Sequence, residues 1–322
     1  MRPGFVYPNL IYMEEMLMKK ILSLVLTALL ALSICLSAGA ETSALTLTCP
    51  SGAPALAVAA MAAERPENFS FIAADTIAAE FAAENADFII APLNAGARLY
   101  KAGKSTYKLC AVVSWGNLYF SSRKADFQLS DINGADLTLF GENTINASVA
   151  LFSLAQNGIV PASVSYLASA ANTQSLLLSD ENAIVLTAEP ALTAARMKND
   201  AVIAYALNDL YKAATGNDGF AQAALFVKAA TLESQPEAVA EYLLQVEQAA
   251  AACTDQPEAV AEAAVALEIL PNVKVALAAL PNCAIRYVAA LDAKEQIETT
   301  AGVDLTQYGG DVPADDFYYA AK

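Results

Sequence analysis

Histidine is absent from the 322-residue sequence. Its absence removes Ser-His-Asp triads, HExxH zinc sites and the commonest general base near neutral pH. Basic residues are scarce, with 18 Lys and Arg against 34 Asp and Glu and a formal charge of −16. Phosphate backbones are held through Lys and Arg, so no nucleic-acid partner is expected. Cysteine occurs five times without a CxxC pair, and tryptophan once. A phosphate-binding P-loop is missing as well. Gly103-Lys104-Ser105 matches only its tail, and Arg98 stands where the first glycine should be. Residues 97–101 read as helix, which makes Gly103 a helix end and Lys104 a solvated charge.

What is present in quantity is apolar. With 56% hydrophobic and only 16% charged residues, the chain can bury a large core, and its length suggests two domains.

The N-terminus carries an export address. Lys19-Lys20 precedes the charge-free run ILSLVLTALLALSICLSA, and Ala38-Gly39-Ala40 follows the small-x-small rule for cleavage. Residues 1–40 are therefore read as an N-terminal extension and secretory signal peptide. An uncleaved anchor is the alternative, since 18 apolar residues reach the lower edge of a spanning length. Lipidation at Cys35 is poorly matched, because Ile34 precedes it where a small residue is wanted. Cleavage after Ala40 would leave Cys49, Cys110, Cys253 and Cys283, either with one disulfide or as free buried thiols.

Beyond the leader, apolar runs alternate with alanine-rich segments. ALTLTCP (44–50), FSFIAAD (69–75) and DFIIAPL (87–93) read as strands, while ALAVAAMAAE (55–64) and TIAAEFAAENA (76–86) read as helices. This βαβαβ order implies a parallel sheet with helices on its faces and ligands beyond the carboxyl ends of its strands. A second α/β unit follows. The strand ADLTLF (135–140) leads through Gly141-Glu142-Asn143-Thr144 into a helix that stops at Asn157-Gly158. From about Gly219 the chain reads as more of the first unit, so the second is inserted within it. The C-terminal third is largely helical, and Gln235-Pro236-Glu237-Ala238-Val239-Ala240-Glu241 recurs 21 residues later from Gln256. Ser234 and Asp255 are the candidate caps of these two helix starts.

An export signal followed in order by SGAP, APLNAGARLYKAG, SWGNLYF, NGADLTLFGENT, LTAEP, LPNCAIRYVAALDAKEQI and GGDVPADDFYYAA resembles the periplasmic-type substrate-binding proteins of ABC importers. It is most similar to the group that includes thiamine-pyrimidine-precursor and nitrate, sulfonate and taurine binders. The resemblance implies an α/β, two-lobed type II periplasmic-binding-protein fold, with two parallel or mixed sheets flanked by helices and a cleft between lobes. Lobe 1 would comprise residues 44–122 plus 219–322, and lobe 2 the inserted residues 123–218. The implied function is capture of a small organic solute and its delivery to a membrane permease by a monomer without a cofactor or catalytic residues. Two alternatives share the fold: a solute sensor or surface interaction protein, and a biosynthetic enzyme of the thiamine-pyrimidine type, which the missing histidines disfavour.

Candidate ligand-binding residues come from the loops at strand tips: Ser51, Gly52 and Ala53, then Asn94, then Gly141, Asn143 and Thr144. Trp115 could stack on a planar solute or pack in the hinge. Tyr119 could line the cleft or bridge the lobes. Glu189 could bind an amine or serve as a helix-start carboxylate. The loop residues could equally be caps and turn formers. Asp311, Asp315 and Asp316 lack the spacing of a calcium loop, and no metal is expected. No paired basic residues occupy the candidate loops, which leans the ligand toward a neutral or amine-bearing compound.

Overall fold

Short runs such as Phe88–Pro92 and Ala223–Val227 are apolar at nearly every position, which suits strands covered on both faces. The computed structural model describes residues 44–320. The leader, its cleavage position and Cys35 lie outside the described residues. The chain starts with β1 (Leu47–Pro50), α1 (Ala53–Leu56), α2 (Ala59–Glu64), β2 (Phe69–Ile72), α3 (Ile77–Ala83), β3 (Phe88–Pro92), α4 (Leu93–Lys101) and β4 (Lys108–Ser114). It then passes into β5 (Leu118–Ser122), β6 (Asp136–Phe140), α5 (Ile145–Gln156), β7 (Ser163–Leu167), α6 (Ala170–Ser179), β8 (Ile184–Ala188), α7 (Ala191–Lys198), β9 (Ile203–Ala206) and α8 (Leu207–Thr215). It returns through β10 (Ala223–Val227), α9 (Ala229–Ser234), α10 (Pro236–Asp255), α11 (Pro257–Ala266), α12 (Val273–Ala279), β11 (Ile285–Ala289) and α13 (Lys294–Val303).

These strands form two sheets. The first has six strands in the order β11-β4-β10-β3-β1-β2, and the second has five in the order β7-β6-β8-β5-β9. Both are mixed. In the first, β1 runs parallel to β2 and β3, as the βαβαβ order requires. The sheet becomes mixed, as the resemblance allowed, through β10, which lies antiparallel between β3 and β4. The right-handed crossover rule binds strands joined by a local helix, and β10 arrives instead from the far side of the second sheet. In the second, β6 is parallel to β7 and β8 while β5 is antiparallel to β8 and β9.

The chain crosses between sheets twice, at Trp115–Asn117 and again between α8 and β10. Because β5 pairs in the five-stranded sheet, the first passage lies ahead of the expected boundary after residue 122. Ser114, Gly116 and Asn117 interrupt the apolar run at the passage, and Gly116 turns it at φ 85°.

Apolar packing follows the sheets. On one face of the six-stranded sheet Leu47, Ile90, Val113 and Leu225 meet Tyr242, Val246 and Val260 of α10 and α11. Phe88 stacks on Tyr242 with ring centroids 4.2 Å apart. A second cluster runs through both sheets, from Ile89 and Phe226 by way of Trp115, Leu118 and Phe220 to Phe120, Leu139 and Tyr211. The two bodies are thus joined by a shared core as well as by the chain. Cys49, Cys110, Cys253 and Cys283 are all free and buried.

The repeated QPEAVAE segments start α10 and α11 as expected, each with Pro in the first turn. Their caps differ from expectation: Gln235 and Gln256 hold the cap positions without side-chain hydrogen bonds. Ser234 and Asp255 are still the last residues of the preceding helices, so neither has the extended backbone that capping needs. Among the described residues no helix is long and apolar enough to cross a membrane.

Candidate functional site

The tips of β3 and β4 and the start of α5 converge where the two sheets meet. Gln222 is the centre of this seam. Its carbonyl accepts from Leu93 N at 3.0 Å and its N–H donates to Ser114 O at 3.0 Å, tying the ends of β3 and β4 together. Its side chain accepts from Ser114 Oγ at 3.2 Å and donates through Nε2 to Asn146 Oδ1 of α5 at 3.2 Å. Two residues along the same helix, Ser148 Oγ donates to Asp304 Oδ2 at 2.7 Å. Asp304 follows α13, and its other oxygen accepts from Thr306 N and Oγ1. Burial pushes this carboxyl up, but the Thr306 and Ser148 hydrogen bonds outweigh it and hold the group below its ordinary range.

Asn94 enters the seam from the first turn of α4. It is 7% exposed, and its Nδ2 donates to Gln307 Oε1 at 3.5 Å. Its Oδ1 is buried with no partner. A buried acceptor left unpaired is uncommon and costly.

Glu189 and Tyr119 form a second polar group beside β8. Glu189 is 2% exposed and accepts from Thr193 N at 3.0 Å and Thr193 Oγ1 at 2.9 Å. It is therefore held as a helix-start carboxylate of α7, with burial pushing its carboxyl up. Tyr119 OH donates to Asn282 O at 3.0 Å, from β5 to the turn after α12. Asn117 closes this group, exchanging hydrogen bonds with the Glu189 backbone at 2.9 Å in both directions.

The other expected site residues are placed as follows. Trp115 is 3% exposed within the shared core; its Nε1 donates to Arg286 O at 2.9 Å, and the Arg286 guanidinium lies 4.7 Å from its ring centre. Its crossover is clamped by Asn208 Nδ2, which donates to Trp115 O at 2.9 Å and Gly116 O at 2.8 Å. Thr144 caps α5, accepting from Ala147 N, while its own hydroxyl donates to Gly141 O at 2.6 Å. Asn143 between them takes a left-handed turn conformation at φ 57°, which asparagine tolerates. Ser51 N is bonded to Ile72 O at 2.9 Å, Gly52 precedes α1, and Ala53 is buried. The structure thus brings Asn94 to the seam and sets Tyr119 with Glu189, while Ser51 and Gly141 are tied through their N–H groups to the ends of β2 and β7.

Ser114, Asn146, Ser148, Gln222, Asp304 and Gln307 complete the seam and were not singled out from the sequence. Gln222 had a readable signal, as a lone amide at the head of the apolar run AALFV. The Gly103-Lys104-Ser105 stretch borders a cavity of about 610 Å³ elsewhere, under the C-terminal tail. There Lys108 Nζ donates to Asp316 O at 2.6 Å and Tyr100 OH to Asp316 Oδ2 at 2.9 Å, so its polar groups answer one another.

Two mixed sheets flanked by helices, joined by two crossovers with polar side chains gathered at their seam, define the periplasmic binding protein fold. Solved structures share it. An ABC transporter protein from Parabacteroides distasonis superposes with a TM-score of 0.74 at 19% identity, over 86% of this chain and 99% of that one. The periplasmic aliphatic sulphonate binding protein of Escherichia coli gives 0.67 at 15% identity, over 86% and 92%. A Candida albicans gene product described as having the generic periplasmic binding protein fold gives 0.53 at 10% identity, over 85% and 92%. No family model matches the sequence, and no curated protein matches it significantly.

Proposed function

We propose that this chain is an extracytoplasmic solute-binding protein that captures a small organic solute and delivers it to an ABC-type import permease. The observation that carries the reading is the seam. Side chains from two separately built sheets meet there at strand tips, where ligands bind in open α/β sheets, and the chain crosses between the sheets only twice. Residues up to Ser114 with those from Gln222 onward would form one lobe, and residues from Leu118 to α8 the other, hinged at the crossovers. A solute touching both lobes favours the closed arrangement by its differential affinity, and the permease would read that state. The structures similar to this one that are named as components of ABC transporters support the partner class.

Asn94 is the site residue best placed for a solute. Tyr119 and Glu189 would shape the second polar group, and Trp115 would support the hinge. Ser51–Ala53 and Gly141–Thr144 would border the opening through backbone groups. The lysine pair and apolar run at residues 19–38 support export of the chain. Mass spectrometry of the supernatant after denaturing freshly purified protein tests the function. One small organic compound in near-equimolar amount is expected, whereas turnover of an added compound by the purified protein would replace this reading with an enzymatic one.

A further inference from the structure

Within the solute-binding reading, on which this inference rests, we infer that the solute enters the seam as a hydrogen-bond donor: an uncharged or cationic N–H-bearing molecule, not an anion. The polarity of the seam is set by Asp304. Its carboxylate already accepts from Ser148 of α5 and from Thr306. Gln307 follows in the same turn, its N–H donating to the Asp304 carbonyl at 3.1 Å, and its Oε1 faces Asn94. Asn94 turns Nδ2 toward it at 3.5 Å. Its oxygen is left as the buried, unpartnered atom.

An anionic solute meets two obstacles here. It brings lone pairs to an orphaned acceptor, and it meets a like charge at the first turns of α5, where the helix end would otherwise favour it. The Arg286 guanidinium is engaged over the Trp115 ring. A donor satisfies Asn94 Oδ1, and a cation gains from Asp304 as well. Asn146, whose Oδ1 is occupied by Gln222, keeps an N–H₂ for an acceptor on the same solute, which fits an amide-like edge.

The test is calorimetric titration and thermal melting of the full-length processed protein, emptied of solute, with four ring- or chain-matched probes: nicotinamide, benzylamine, benzenesulfonate and ethanesulfonate. A rise in Tm with nicotinamide or benzylamine and none with the sulfonates is expected. Asn94→Leu should weaken that binding tenfold or more, and Asn94→Asp, which keeps an acceptor, should retain or tighten benzylamine binding. Melting of each empty variant guards against loss of fold. Sulfonate binding, or unchanged donor affinity in Asn94→Leu, overturns the inference while leaving solute binding intact. If no probe binds, the charge of the compound released on denaturation decides it, an anion being contrary. No probe bound and no compound released overturns both readings.

Discussion

Glu189 is a carboxylate whose environment favours the protonated form. Burial raises it from an ordinary value of 4.5, against the opposing hydrogen bonds from Thr193. A carboxyl raised on folding contributes stability at low pH, below its unfolded value, and loses that contribution as pH climbs through the folded value. Glu189→Gln removes the titration. Its Tm relative to wild type should therefore become more favourable as pH rises from about 4 to 7, measured by thermal melts across that range. A constant difference would show that Glu189 titrates alike in both states. Trp115 is decided at the same scale. Both stacking on a solute and packing were open from sequence, and Trp115 is buried in the shared core. Trp115→Ala should cost about 3–5 kcal/mol in denaturant unfolding of the empty protein.

At the scale of elements, the loop from β6 to α5 is a helix start whose cap is visible in its letters, Gly-Glu-Asn-Thr before an apolar helix. Thr144→Ala removes the acceptor for Ala147 N and should cost about 1 kcal/mol, read as a lower urea midpoint with an unchanged slope. Gly96 sits where α4 presses on β10: a methyl group there would stand 2.5 Å from Phe226 Cζ. Gly96→Ala should cost about 1–3 kcal/mol through overpacking. Most elements were legible because their periodicity is local. The caps of α10 and α11 were not, since whether Ser234 and Asp255 are free to cap depends on where the preceding helix stops.

For the whole molecule, the two bodies meet through a few polar tethers beside their common core: Tyr119 to Asn282, Gln222 to Asn146 and Ser148 to Asp304. Each contributes about 0.5–1.5 kcal/mol net, so together they weigh on opening without deciding folding. Replacing Tyr119 by Phe, Asn146 by Leu and Ser148 by Ala together should raise the radius of gyration in small-angle scattering. Tm should fall by only a few degrees. An unchanged radius would mean that the shared core alone sets the arrangement.

The amino-acid order by itself determined the α/β class, the alternation of strands and helices in both units and the exclusion of histidine chemistry. These follow from periodicity and composition, which act over a few residues. Only the tertiary structure decided that β10 would run antiparallel between β3 and β4. It also decided that Glu189 would be spent on its own helix, and that Asn94 would be left with an unpaired oxygen. Each depends on a partner far away in the chain, such as Gln307, 213 residues beyond Asn94, and hydrogen bonding at that separation is set by packing.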